Sequence, residues 1–163
     1  MSPKLEEAFN DQIDVELSSS ISYLQMSAYF AEQNLNGMSG WMRVQAEEER
    51  AHAHRFLDFV LNRGNAARLG AIEAPRHEFE GAEEVFATAL EQEREVTAAI
   101  HELYRLATEE GDLASYPFLQ SFIEEQNEEE AMVETILDRV RLAGGNAGAI
   151  LILDSELGGR ARG

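Results

Sequence analysis

The sequence predicts an all-α protein, a four-helix bundle with one long crossover and a short fifth C-terminal helix. Three observations support this class. Of the 163 residues, 44% are hydrophobic, which is enough for one sizeable core. Helix-favouring Glu, Ala, Leu and Arg are abundant, whereas only three prolines occur. Two pairs of long helical segments flank one long stretch without periodicity. We therefore expect a single domain over residues 1–163.

The first two helices are predicted to form an antiparallel hairpin. Ser2 followed by Pro3 is typical of an N-cap with proline at the first helical position. Helical periodicity then extends over about 3–34. The segment 34–40 contains two glycines and two asparagines, which predict a short turn. A second helix is expected over about 38–63.

The third and fourth helices are predicted to form a second hairpin, reached by a long connection. Residues 65–81 show no sustained period and contain Pro75, so they predict a crossover without regular structure of its own. The third helix is expected over about 82–110. The fourth is expected over about 113–143, with Pro117 bending its first turns.

An apolar run near the C-terminus predicts a short fifth helix over about 147–157. The segment 149–153 consists of alanine, isoleucine and leucine only. Such a helix is too apolar to remain exposed and too short to be stable alone. We therefore expect another subunit to cover it.

Composition excludes several classes of function. Because the chain has no cysteine, it cannot contain disulfides, zinc-thiolate sites, iron-sulfur clusters or a cysteine nucleophile. Residues 1–14 contain no apolar run of signal-peptide length, and no later stretch approaches the length of a membrane span, so a cytoplasmic protein is expected. The 31 acidic and 13 basic residues give a net charge of -18, which opposes binding to nucleic acid and to anionic membranes. Cations are the expected partners.

Polar residues interrupt the predicted core near the middle of every helix. In a four-helix bundle, positions spaced alternately three and four apart face the centre and should be apolar. Burying an unpaired carboxylate costs roughly several kcal/mol, and converging carboxylates cost more unless a cation lies between them. The charged residues in these rows are Glu16, Glu49, His52, Glu93 and Glu129, accompanied by Ser20, Tyr23, Ser27, Gln45 and Gln126.

A pair of divalent metal ions explains this pattern best. Carboxylates with one imidazole suit iron or manganese. Glu93 and Glu129 lie equally far from Gly111, so an antiparallel hairpin sets them level. Taken singly, a glutamate in such a row is often a residue that reaches solvent, His52 a hydrogen-bonded core histidine, and Tyr23 a packing residue. Four coincident glutamates favour the metal site.

These residues resemble a known site. Glu16, Glu49-x-x-His52, Glu93 and Gln126-x-x-Glu129 resemble the ferroxidase centre of the bacterial non-haem ferritins, and the resemblance covers the whole chain, including the tail. It implies an all-α, ferritin-like four-helix bundle with one long crossover and a short fifth helix. It also implies a homo-oligomer, a cage of 24 subunits.

The resemblance implies a role for each residue of the centre. The first iron would be held by Glu16, Glu49 and His52. The second would be held by Glu49, Glu93 and Glu129, so that Glu49 bridges the two ions.

Further residues complete the implied site. Gln126 would lie beside the second iron, and Tyr23 would donate a hydrogen bond or an electron. The family also has a third iron position, on the cavity side of the centre. Its ligands match Glu48, Glu125 and Glu128 here, together with Glu129, which the third position would share with the second.

Differences between this sequence and three related families favour the bacterial non-haem ferritins over those families. Bacterioferritins carry a second Glu-x-x-His where this chain has Gln126-x-x-Glu129, and their haem-ligating methionine is replaced here by Arg50, so haem is not expected. Rubrerythrin-like proteins add a cysteine-rich module. Mini-ferritins of the starvation-induced type build their site between subunits and lack the fifth helix.

The expected function is iron storage and detoxification. Fe(II) would be oxidised to Fe(III) with O2 or H2O2 and stored as a ferric oxyhydroxide mineral inside the cage. The alternatives are a di-iron enzyme that scavenges peroxide and an acidic helical scaffold that binds no metal.

Overall fold

The computed structural model of the protein describes residues 1–160. The predicted domain extends to residue 163, three residues beyond the described part. The helices are α1 (Pro3–Glu32), α2 (Asn36–Asn62), α3 (Ala82–Glu109), α4 (Tyr116–Ala143) and α5 (Ala147–Leu157). They confirm the predicted class: α1 pairs with α2 and α3 pairs with α4 in one four-helix bundle, and α5 packs against α2 and α4. None of the described helices combines the length and the apolar character that a membrane span needs.

Helix α1 begins as the sequence predicts, whereas α2 begins two residues earlier than expected. The Ser2 side chain accepts a hydrogen bond from the Leu5 N–H at 3.2 Å, which caps α1. Leu35 offers no side-chain cap to α2. Instead, the carboxylate of Asp154 in α5 accepts a hydrogen bond from the Met38 N–H at 2.7 Å. The first turn of α2 is therefore stabilised by a residue 116 positions away in the chain.

The start of the fourth helix also differs from the predicted one. Residues Leu113–Ser115 form a 3-10 turn, and α4 begins at Tyr116. Pro117 thus lies in the first turn of α4, where its missing N–H leaves no helical hydrogen bond unmade. An α-helix through Leu113 would bring the Leu113 carbonyl against the proline ring, which explains the shorter helix.

The crossover is held along α1 by side chains of that helix. Asn10 donates to the Ala66 carbonyl at 3.0 Å and accepts from the Arg68 N–H at 2.7 Å. Asp14 accepts from the Gly70 N–H at 2.9 Å. The segment 65–79 contains neither helix nor strand. These three backbone groups of the segment therefore find partners on α1 instead of within the segment.

The core consists of two apolar clusters, to each of which all four long helices contribute. One cluster includes Met26, Trp41, Phe86, Val133 and, from α5, Leu153. The other includes Phe9, Phe56, Ile100 and Phe122. Along every long helix, the residues of one cluster precede those of the other, and polar residues separate them. The core is therefore divided by a polar layer at mid-height.

Two of the predicted core positions shift by one residue. The row predicted for the second helix ends at Phe59. Ser19 and Val60 are buried, whereas Ser20 and Phe59 are only half-buried. A straight α-helix has 3.6 residues per turn, so a strict row with a spacing of 3.5 drifts away from the core face. The shift changes neither the buried glutamates nor His52.

Helix α5 is covered on one side by its own chain. Leu153 and Leu157 are buried against the bundle, whereas Leu151 and Ile152 are 58% and 64% exposed. The exposed side remains the part for which cover by another subunit is predicted.

Replacing Gly37 with alanine is expected to lower the free energy of unfolding by about 2 kcal/mol or more. An added Cβ would lie 1.7 Å from the backbone oxygen of Asp154, so α2 and α5 would have to separate. Urea unfolding of Gly37→Ala beside Gly148→Ala checks this. At Gly148 the added Cβ meets only a side-chain oxygen at 3.3 Å, and a cost below about 1 kcal/mol is expected. Equal costs for the two variants would contradict the packing described.

Candidate metal centre

The polar layer between the two apolar clusters contains the charged residues that the sequence places in the core. Glu16 comes from α1, Glu49 and His52 from α2, Glu93 from α3, and each is buried. Glu49 and His52 lie three residues apart, which places both side chains on the same face of α2. All four helices meet at this layer, because Gln126 of α4 is also buried there.

Three of these side chains converge on one point. One ligand atom each from Glu16, Glu49 and His52 lies within 4.8 Å of the other two. The His52 Nδ1 atom is 3.8 Å from an oxygen of Glu16 and 3.8 Å from an oxygen of Glu49. On the other side of the ring, Nε2 lies 3.2 Å from a carboxylate oxygen of Glu125. A proton on Nε2 would thus face Glu125 and leave the lone pair of Nδ1 directed at the two glutamates.

The remaining predicted ligands are held by hydrogen bonds at the same level. Glu93 accepts a hydrogen bond from the Tyr23 hydroxyl and another from the Gln126 amide at 3.1 Å. Glu129 accepts from the Gln45 amide at 2.9 Å. Both carboxylates are close enough for their charge to raise the pKa of Glu49. The layer thus contains four carboxylates on four helices.

Burial raises the pKa values of these carboxyl groups. Burial, together with the negative charges of Glu93 and Glu129, raises the pKa of Glu49 to about 8. Burial raises the pKa of Glu93 to about 7, although the hydrogen bonds from Tyr23 and Gln126 oppose the shift. The pKa values of Glu16 and Glu129 are raised for the same main reason. Without a cation, the layer therefore retains protons near neutral pH.

Several electron-pair donors in the layer lack a partner. An unsatisfied buried polar atom costs about 1–3 kcal/mol, so such a concentration in one place requires an explanation. None of these atoms carries a proton to donate when the carboxyls are ionised and His52 is protonated on Nε2. A metal cation is the partner that this donor set fits. Among the described residues, the buried side-chain atoms without a hydrogen-bond partner are Glu16 Oε2, Glu49 Oε1 and Oε2, His52 Nδ1 and Gln126 Oε1.

The three residues predicted to hold a third ion are not brought together in the same way. Glu48 is paired with Arg160 at 2.7 Å. Both oxygens of Glu125 accept from Arg55, at 2.9 and 2.7 Å. Glu128 is exposed. Within residues 1–160, the group of potential metal ligands that lie within reach of one another does not include these three.

Some residues of the site were not singled out by sequence reasoning. The buried Gln12 donates to Glu16 Oε1 at 2.8 Å, and its spacing of four residues on one helix could have revealed this contact. Thr97 accepts from the Gln126 amide at 3.3 Å. Arg160 and Arg55, which neutralise Glu48 and Glu125, lie on the rim of the layer. No local spacing signals Arg160, because 112 positions separate it from Glu48.

Comparison with known proteins agrees with this architecture. The ferritin-like domain family matches residues 6–143. The chain is 39% identical over 160 residues to a bacterial non-heme ferritin of Bacteroides fragilis, with 98% of this chain and 99% of that protein covered. It is 36% identical over 158 residues to a probable bacterial non-heme ferritin-like protein of Haemophilus influenzae, covering 97% and 96%.

A solved structure extends the similarity to three dimensions. The crystal structure of an open pore ferritin from the archaeon Archaeoglobus fulgidus superimposes with a TM-score of 0.96 at 44% sequence identity. The match covers 97% of this chain and 98% of that one.

Proposed function

Because this chain belongs to the ferritin family, we propose that it oxidises Fe(II) to Fe(III) in its polar layer and stores the product as a ferric oxyhydroxide mineral inside a cage. The observation that carries the proposal is the set of unpartnered donor atoms on Glu16, Glu49, His52 and Gln126. Such a layer is unfavourable without a cation, and iron is the substrate that family membership indicates.

Two Fe(II) ions per subunit would share the four carboxylates. We assign the first ion to Glu16, Glu49 and His52, whose ligand atoms already lie within 4.8 Å of one another. We assign the second ion to Glu49, Glu93 and Glu129, with Glu49 bridging. Both oxygens of Glu49 are unpartnered, as a bridging ligand requires.

The pairing of ions suits the chemistry of the oxidant. Each Fe(II) gives up one electron, whereas O2 is reduced to peroxide, or H2O2 to water, by two. Two ions held side by side therefore supply both electrons at one place. The amide nitrogen of Gln126 donates to Glu93, and its buried, unpartnered Oε1 is assigned to the second ion.

The chain contributes position, proton transfer and exclusion of water. Glu49 and Glu93 release their protons when Fe(II) enters, because the positive charge replaces them. The Tyr23 hydroxyl donates to Glu93 and so keeps this carboxylate in place. Tyr23 is also a buried phenol and is assigned as a transient one-electron donor to the oxidant, with its phenolic proton passing to Glu93. The apolar clusters above and below the layer keep bulk water away from the reaction.

Storage requires a container, so we propose a homo-oligomeric cage of 24 copies. The exposed apolar side chains of the chain support oligomerisation, since Leu142 is 86% exposed and Leu24 is 54% exposed. Leu151 and Ile152, on the exposed side of α5, are further exposed apolar residues that support oligomerisation. A third iron position, formed by Glu48, Glu125, Glu128 and Glu129, would require Arg160 and Arg55 to release their carboxylates.

Incubation of the purified protein with Fe(II) in air is expected to yield a particle of roughly 440 kDa, for 24 chains of 18.2 kDa. Hundreds of iron atoms per particle should be retained after gel filtration. Light scattering and iron analysis of the same fraction measure both quantities. A monomer or dimer that retains a few irons and consumes H2O2 catalytically would instead support the alternative, a peroxide-scavenging di-iron enzyme. A particle that retains no metal would leave only an acidic scaffold.

A further inference from the structure

The last described residue, Arg160, reaches from beyond the end of α5 to the edge of the metal centre. Its guanidinium donates to Gln45 Oε1 at 2.5 Å and to Glu48 Oε2 at 2.7 Å. The same group lies 5.0 Å from the centre of the Trp41 ring, within the range of a cation–π interaction. The arginine side chain is 28% exposed, so it is mostly enclosed by these partners.

Gln45 connects this arginine to a proposed iron ligand. The side chain of Gln45 is completely buried, and its amide nitrogen donates to Glu129 Oε2 at 2.9 Å. Because Arg160 occupies the amide oxygen, the amide nitrogen has to face Glu129. A continuous path therefore runs from Arg160 through Gln45 to Glu129.

Arg160 is not needed to hold α5 on the bundle. Leu153 and Leu157 are buried there, and Asp154 caps the first turn of α2. A separate ion pair joins Arg139 of α4 to Glu156 of α5. These contacts dock the helix independently, so the contacts of Arg160 call for a different explanation.

We propose that Arg160 is a tethered cation that closes the metal centre on the side of Glu129. It occupies the Gln45 carbonyl oxygen and the Glu48 carboxylate, which would otherwise be free to bind a divalent metal ion next to Glu129. This inference rests on the proposed function, because it assumes that metal ions occupy the layer beside it. Arg160 is thus a positioning residue: it acts on iron through Gln45 and Glu48.

Charge and attachment to the same chain explain why Arg160, and not a free metal ion, occupies the oxygens of Gln45 and Glu48. Carboxylate and carbonyl oxygens bind hard divalent cations. Once the guanidinium leaves, Gln45 Oε1 and Glu48 Oε2 are free to act as ligands, and Glu129 lies at the other end of the Gln45 amide. A group attached to the same chain has an effective concentration on the order of millimolar, far above that of free Fe(II) in trace amounts. An ion that passes this edge therefore has to displace Arg160 first.

Zn(II) tests the proposal without oxidation. Metal-free, full-length, assembled protein is dialysed against buffered Zn(II), and bound ions per subunit are counted by elemental analysis. We expect Arg160→Ala and Arg160→Gln each to bind one ion more per subunit than the wild type. The double variant Arg160→Ala/Glu48→Gln is expected to return to the wild-type number, because a ligand of the extra ion is lost. Arg160→Lys, which keeps a tethered positive charge, is expected to match the wild type.

Arg139→Ala is the matched control, since it removes the other arginine that contacts the C-terminal segment but touches neither Gln45 nor Glu48. It is expected to bind the wild-type number of ions. The proposal is overturned if Arg160→Ala and Arg160→Gln bind no more Zn(II) than the wild type, or if Arg139→Ala gains the same ion. Failure of the proposed function would look different, because the wild type itself would then leave the layer empty and oxidise no Fe(II).

Discussion

Glu49→Gln is expected to abolish the rapid phase of Fe(II) oxidation, with a loss of at least about 100-fold in rate, or about 2.7 kcal/mol of activation free energy. Among the buried carboxylates of residues 1–160, Glu49 alone has both oxygens unpartnered, and we assign it to both iron positions. Glutamine has nearly the same shape, but its neutral amide supplies only one ligand oxygen. The two Fe(II) ions would then lose both their bridge and a compensating charge. Stopped-flow absorbance after mixing the metal-free protein with Fe(II) in aerated buffer measures the rate.

The matched control for this experiment lies two residues earlier on the same helix. Glu47→Gln makes the same chemical change at an exposed position whose carboxylate pairs with Arg50. Its rapid phase is expected to equal that of the wild type. If Glu49→Gln also retained the wild-type rate, oxidation would have to occur elsewhere, and the proposed centre would be wrong.

The metal-free protein is expected to lose a few kcal/mol of stability, roughly, as the pH rises from about 5 to about 8. In the unfolded chain, glutamates release their protons near a pKa of 4.5, whereas burial raises the pKa of Glu93 to about 7 and of Glu49 to about 8. Between these limits, the folded state holds protons that the unfolded state has already released. Raising the pH therefore favours unfolding, until the folded-state pKa values have been passed.

Urea unfolding at several pH values and one fixed protein concentration measures this trend. Saturating Zn(II) should remove it, since the bound cation replaces the protons. Metal-free Glu49→Gln should be more stable than the wild type at pH 8 and should depend less on pH. Asp112 does not affect this trend above pH 5. Arg63 lowers the pKa of its carboxyl, so the contribution of Asp112 to stability is lost only in acid. A wild-type stability that rises between pH 5 and 8 would contradict the raised pKa values.

The two expected results describe one trade-off. Two apolar clusters stabilise the bundle, and the polar layer between them weakens it whenever no cation is present. The same buried carboxylates that cost stability are those assigned to iron. Glu49→Gln is therefore expected to raise the stability of the metal-free protein at pH 8 and to abolish rapid Fe(II) oxidation.

Local periodicity was sufficient to predict much of this protein. A helix repeats every 3.6 residues, so the spacing of apolar residues alone indicates which face is buried. That rule predicted Glu16, Glu49, His52 and Glu93 as core residues, and all four are buried. The long stretch without periodicity predicted the crossover, and the apolar run after Gly145 predicted α5. Each of these inferences depends on residues within one segment of the chain.

Only the tertiary structure determined the partners of these side chains. Asp154 caps α2, Arg160 holds Gln45 and Glu48, and Arg55 binds Glu125, each across 70 or more positions of the chain. A hydrogen bond or ion pair depends on the separation of two atoms to within a few tenths of an ångström. Helical periodicity specifies the face on which a residue lies, but it does not specify which distant residue the folded chain brings opposite. The sequence by itself therefore determined which glutamates and which histidine lie in the polar layer, and packing decided which arginines enclose it.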